Sequence, residues 1–175
     1  GHITRDELCR NLTMTEAGNG FANRFLWMCV RRSKCLPEGG SLTQGDLAPL
    51  VERLRAAVTY ARQVTEIRRD DEARALWASI YPALSDGGRG MVGSMTSRAE
   101  AQVMRLACIY ALLDRSSIIK TAHLLAAQAV WDYAEASTRY IFGGKQGDPI
   151  TDTILTKLKE RLPDELTQTD ISRLF

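Results

Sequence analysis

The chain has 175 residues, which bounds it at one domain, or one domain and a fragment of another. Hydrophobic residues make up 45% of it, enough for a packed core. A net charge of +2 excludes a general polyanion-binding field and confines any nucleic-acid contact to a local patch.

Thr4 and Glu7 have the spacing of a capping box, and Leu8 and Leu12 make a small apolar face. A short helix is expected from about Arg5 to Leu12. Gly18-Asn19-Gly20 signals a turn. Phe25 to Val30 is an apolar run too short for a helix, and it suits a buried strand. Such a strand needs neighbours. Either it is an edge strand pairing with a fragment such as Ile118-Ile119, or its partners lie outside this sequence. Arg24 stands directly before the run. Residues 33–45 read as a loop.

Asp46 is placed to cap a helix running to about Val64, with Leu50, Leu54, Ala57, Val58 and Ala61 on one face. Pro49 falls in or near its first turn. A second helix is expected from about Glu66 to Leu84, its charged run RRDDEAR a solvated face, with Pro82 disturbing or ending it. SDGGRGMVGSM then reads as a flexible connection, in which Arg89 is either a surface arginine or a phosphate contact.

Thr96 to Phe142 holds the two strongest helical patterns, around a short polar break. Val103, Leu106, Ala107, Tyr110 and Leu113 recur at helical steps in the first. Leu124, Ala127, Val130, Trp131, Ala134 and Ile141 form the stripe of the second. This hairpin is expected to be the main core. Ser97 and Glu100 are spaced as a capping box, which would put Arg98 in the first turn. A cation there opposes the helix dipole. It marks an anion site, an exposed arginine, or a pair with Glu100. Residues 143–149 look like a linker. Ile150, Ile154, Leu155, Leu158 and Leu162 mark an amphipathic helix ended by Pro163. Thr167 caps a further one with Ile171 and Leu174 inward. Two such helices open a winged or plain helix-turn-helix domain, or form a hairpin that packs on the body. Lys157, Lys159 and Arg161 are a weak basic cluster on the first of them, suited to DNA or to solvent.

The cysteines Cys9, Cys29, Cys35 and Cys108 fall in no metal-ligand spacing and read as reduced thiols of a cytoplasmic protein. No apolar run is long enough to cross a bilayer. No Gly-x-x-x-x-Gly-Lys-Ser/Thr loop and no strand ending in paired acids is present, so neither ATP nor Mg²⁺ has its usual seat here. The two histidines, His2 and His123, form no triad, and no carboxylate pair of the glycosidase type stands out.

The stretch TSRAEAQVMRLACIYALLDRSSIIKTAHLLAAQAVW resembles the lid of AAA+ ATPases, most clearly of minichromosome-maintenance-type helicases. On that resemblance Arg98 corresponds to the sensor-2 arginine that touches the γ-phosphate. It is followed by Glu100, Arg105-Leu106-Ala107 and His123. ANRFLWMCV is similar to the Ser-Arg-Phe segment before the last core strand, and there Arg24 corresponds to the finger that reaches a neighbouring subunit's nucleotide. More broadly, NGFANRFLW, LPEGG, RAEAQVMRLACIYALLD and YIFG resemble the C-terminal half of a bacterial, plasmid and phage family of primase-associated P-loop proteins that end in a winged helix.

The resemblance implies a mainly α fold. It comprises a remnant of an ATPase core over residues 1–45 with one or two short strands, a lid-like helical bundle over 46–142, and the start of a winged helix over 150–175. Arg24 and Arg98 would be catalytic, and Arg98 and Arg89 would bind nucleotide. ATP and Mg²⁺ would be held by an N-terminal ATPase core outside this sequence, in a homo-oligomer that meets DNA. Two further readings stay open: a non-catalytic helical interaction domain, and a DNA-binding module.

Overall fold

The first amides of a helix have no partner within it, and short polar side chains take them up. Thr4 accepts from the Glu7 amide (3.3 Å) and Thr43 from that of Asp46 (3.3 Å). Asp70 accepts from Ala73 (2.8 Å) and Thr167 from Asp170 (3.2 Å). These caps open α1 (Arg5–Asn11), α2 (Gln44–Ala61), α3 (Asp71–Ser85) and α8 (Gln168–Ser172). Further α-helices among the described residues are α4 (Gly90–Thr96), α5 (Ala99–Leu113), α6 (Thr121–Phe142) and α7 (Pro149–Arg161). The computed structural model describes residues 1–12, 19–88, 90–144, 149–162 and 165–174. Arg89, Gly18, Pro163 and most of the 143–149 linker therefore lie outside the described residues. The fold is mainly α, and no helix among the described residues is long and apolar enough to cross a membrane.

The chain divides into two compact units. One comprises residues 28–86 and 98–134. Its centre is α5, which presents Ala99, Val103, Ala107 and Ala111 as a buried row. The small alanines let α2 and α3 approach closely, through Ala57 and Ala73. From α6, Leu124, Ala127, Trp131 and Ala134 are buried in the order the periodicity predicts. Val103 and Leu124 are wholly enclosed, each contributing about 1.5–3 kcal/mol through its lost hydration. A parallel pair, β1 (Arg68–Arg69) with β2 (Ile118–Ile119), ties the start of α3 to the turn before α6. The other unit comprises residues 1–27, 87–97 and 135–175. There Leu8, Ala22, Met91, Met95, Ile141 and Phe142 cluster, with Trp27 edge-on to Phe142 at 6.2 Å.

Several local expectations are corrected. Residues 25–30 form no ladder; Ile118-Ile119 pairs with Arg68-Arg69 instead. Thr43, not Asp46, caps α2, and Asp46 closes a capping box back onto it. Pro49 lies inside α2 beyond its first turn. Residues 66–70 precede α3 rather than begin it, because Asp70 is its cap and Arg68-Arg69 is a strand. Pro82 sits inside α3 without ending it at once. The glycine-rich connection contains α4, whose Met91, Gly93 and Met95 are buried. Gly90 takes a positive φ of 67° at its start, a conformation open to glycine. A Cβ on Gly93 would fall onto the Gly88 carbonyl oxygen, so that close approach requires glycine.

The stripe read on α2 is real but mostly uncovered. Only Ala57 is buried, while Leu50 and Leu54 remain 57% and 54% exposed. α5 is likewise not enclosed all round, since Ile109 and Leu113 face outward.

Candidate functional site

Arg24 closes a 3₁₀ turn, Ala22–Arg24, whose geometry is fixed by its neighbours. Ala22 is fully buried, and its carbonyl accepts the Trp27 indole N–H at 3.1 Å. The Asn23 amide donates to Ser97 Oγ at 2.8 Å. Phe21 and Phe25 meet edge to face at 5.0 Å on either side. α4 packs on this turn. With Ala22 and Trp27 anchored, Arg24 is left exposed, and its guanidinium has no ion pair among the described residues.

Arg98 is the N-cap of α5, at φ −122° and ψ 28°, with no side-chain hydrogen bond to the helix. The expected box of Ser97 and Glu100 does not form. Ser97 Oγ is occupied: it donates to the Ser94 carbonyl at 3.0 Å and accepts from Asn23. Arg98 therefore precedes the first turn rather than lying within it. Its carbonyl accepts from Gln102 at 3.0 Å, and Ala99 beside it is buried. The side chain is half-buried and makes no ion pair with Glu100 or with any other described residue. No side chain of the N-cap takes up the first amides of this helix, and helix starts favour an anion.

The C-terminal basic residues are partly neutralised. Lys157 pairs with Glu160 at 2.7 Å and Arg161 with Asp170 at 3.0 Å, while Lys159 is exposed. Asp170 is also held below the usual carboxylate range, first by the Thr167 hydroxyl, then by the Thr167 amide.

His123 is structural. The Lys120 amide donates to its Nδ1 at 3.0 Å, so the ring proton belongs on Nε2, which donates to Asp114 at 3.1 Å. The buried ring thereby closes the polar break onto α6. Among the described residues no group of three or more His, Cys, Asp or Glu side chains could hold a metal ion.

One cluster was not singled out by its sequence. Arg68, Arg69 and Arg74 line a hollow of about 460 Å³ whose apolar part includes Trp77, Met104 and Ile119. In the sequence these arginines belong to RRDDEAR and look like solvated charge. The signal lies in Ile118-Ile119, fifty positions away, whose pairing with Arg68-Arg69 sets that backbone. Arg69 stacks over the Trp77 ring at 5.7 Å. Cys108 also lines the hollow, where burial pushes its thiol up and the Arg69 charge partly offsets that. A second hollow, of about 450 Å³, runs between Leu50 and Leu54 of α2, Leu113 of α5 and Ala126 of α6.

No family model matches the chain, and neither a curated protein nor a solved structure does.

Proposed function

We propose that this chain is the C-terminal part of a replication-associated, primase-linked P-loop ATPase of the AAA+ helicase type, working in the cytoplasm as an oligomer. A preceding core would hold ATP and Mg²⁺, and this part would supply cations. Arg98, as sensor 2, and Arg24, as finger, would neutralise charge that develops on the γ-phosphate during transfer. The observation that carries the reading is Arg98: a guanidinium with no ion pair among the described residues, at a helix start with no side-chain cap, within the pattern Arg98, Glu100, Arg105-Leu106-Ala107. Arg24, exposed on an anchored turn, supports it. Arg89 is kept as a phosphate contact on the resemblance alone.

The test is steady-state ATP hydrolysis by the full-length protein carrying Arg24→Ala or Arg98→Ala. Loss of an arginine finger lowers turnover by roughly 10³-fold or more, and circular dichroism should show the fold intact. Wild-type turnover in both variants would remove the proposal.

A second reading, a non-catalytic helical interaction domain, is favoured by the open apolar face of α2. It requires both arginine variants to be silent and one protein partner to be retained stably. The third, DNA binding through Lys157, Lys159 and Arg161, is weakened by two of the three being paired within the C-terminal helices. A gel shift whose salt slope falls on Lys159→Ala would restore it.

A further inference from the structure

We propose that the hollow between β1, α3 and α5 binds a nucleotide unit, a phosphate joined to a flat ring, taken up either free or as part of a single strand. Arg68, Arg69 and Arg74 are all among the residues that line this one small space. Like charges gathered in this way repel unless something negative lies among them. The counter-charges at hand do little. Arg68 reaches Glu66 at 2.8 Å, but both side chains are largely in water. Arg74 stands 3.8 Å from an Asp71 carboxylate that is fully exposed. Exposed pairs of this kind are weak. Asp70, the nearest remaining acid in the chain, directs its carboxylate to the Ala73 amide as the α3 cap. The hollow thus keeps an unmet positive potential, and guanidinium forks suit phosphate oxygens.

The apolar part of the lining decides what the anion carries. Trp77, Met104 and Ile119 present apolar surface, and inorganic phosphate alone would leave it wet. Arg69 lies over the Trp77 ring at 5.7 Å, so a guanidinium and an aromatic face stand together in the lining. A nucleobase uses aromatic and guanidinium surfaces in the same way. Neither Arg24 nor Arg98 lines this hollow, so the proposal stands independently of their roles.

The experiment uses the whole chain with two probes: fluorescently labelled oligothymidylate, and AMP as a free competitor. Tryptophan emission is read in wild type and in Trp77→Phe. Wild type should show saturable quenching that Trp77→Phe abolishes. Arg74→Glu, at an exposed position, should weaken binding about tenfold or more with unchanged circular dichroism. Arg53→Glu on α2, outside the hollow, should bind as wild type. Binding of the strand with a salt slope of roughly 0.7 per phosphate, and little competition by AMP, assigns the site to single-stranded nucleic acid. Tight AMP binding that displaces the strand assigns it to free nucleotide. Absence of binding by both probes overturns the proposal. So does wild-type affinity in Arg74→Glu, or an equal loss in Arg53→Glu.

Discussion

A few atoms decide what several residues of this chain do. His123 looks in the sequence like a residue at a helix start, and it proves to be the clasp of that start, accepting the Lys120 amide and donating to Asp114. Ser97 has the right spacing for a cap, yet a hydroxyl has few bonds to give, and Asn23 and the Ser94 carbonyl take them. The spacing was legible; the competitor, 74 positions away, was not. Asp46 shows the reverse, a residue read as a cap that works one step further in. The Thr43 amide and then its hydroxyl hold the Asp46 carboxylate below its usual value of 3.8. A depressed carboxylate adds stability above its unfolded pKa, and that stability is lost as pH falls through the folded value. Asp46→Asn should therefore melt at a lower temperature than wild type near pH 6. The gap should begin to narrow below about pH 4, where the unfolded carboxylate protonates, and close at still lower pH, once the folded carboxylate protonates too. Thermal melts across that range check this, and a gap that persists at low pH would mean the box is not the source.

At the scale of elements, helical periodicity carried most of the information. The α6 stripe is buried nearly as its sequence implies: Leu124, Ala127, Trp131 and Ala134 in one unit and Ile141 in the other. The α2 stripe has the same pattern and remains largely open, since periodicity reports that a face is apolar and not what covers it. The two stripes should respond differently to truncation. Leu124→Ala should cost about 2–5 kcal/mol, the usual range for an enclosed leucine. Leu54→Ala, half in water already, should cost well under half of that. Urea denaturation of the two variants measures both. The short strands were not legible, because two residues paired with two others leave no pattern in either segment. In α4 the glycine content hid a helix. An exposed helical Gly→Ala change gains up to about 1 kcal/mol. At Gly93 the Gly88 carbonyl occupies the space of the new methyl, and overpacking of this sort costs about 1–3 kcal/mol. Gly93→Ala should lower the melting temperature, and a rise would show that Gly88 can move aside.

For the molecule as a whole, the proposed role divides the work of hydrolysis between subunits. A finger reaches a neighbour's nucleotide, so its defect should be rescued in a mixed ring. Full-length Arg24→Ala subunits, inactive alone, should regain turnover when mixed with subunits whose phosphate-loop lysine is replaced, since an intact finger then faces an intact pocket. Turnover that stays at the level of the separate variants would place Arg24 outside any shared site. No phosphate-gripping loop is legible in this sequence; what was legible were Arg24 and Arg98, which make no ion pair among the described residues. The β1–β2 staple has a consequence of its own. Its hydrogen bonds, from the Arg68 amide to the Ser117 carbonyl at 3.0 Å and from the Asp70 amide to the Ile119 carbonyl at 3.2 Å, join segments separated by α3, α4 and α5. Closing so long a loop costs chain entropy before any bond repays it. These amides should gain their protection against hydrogen exchange late in folding, after the local turns of α5 and α6 have formed.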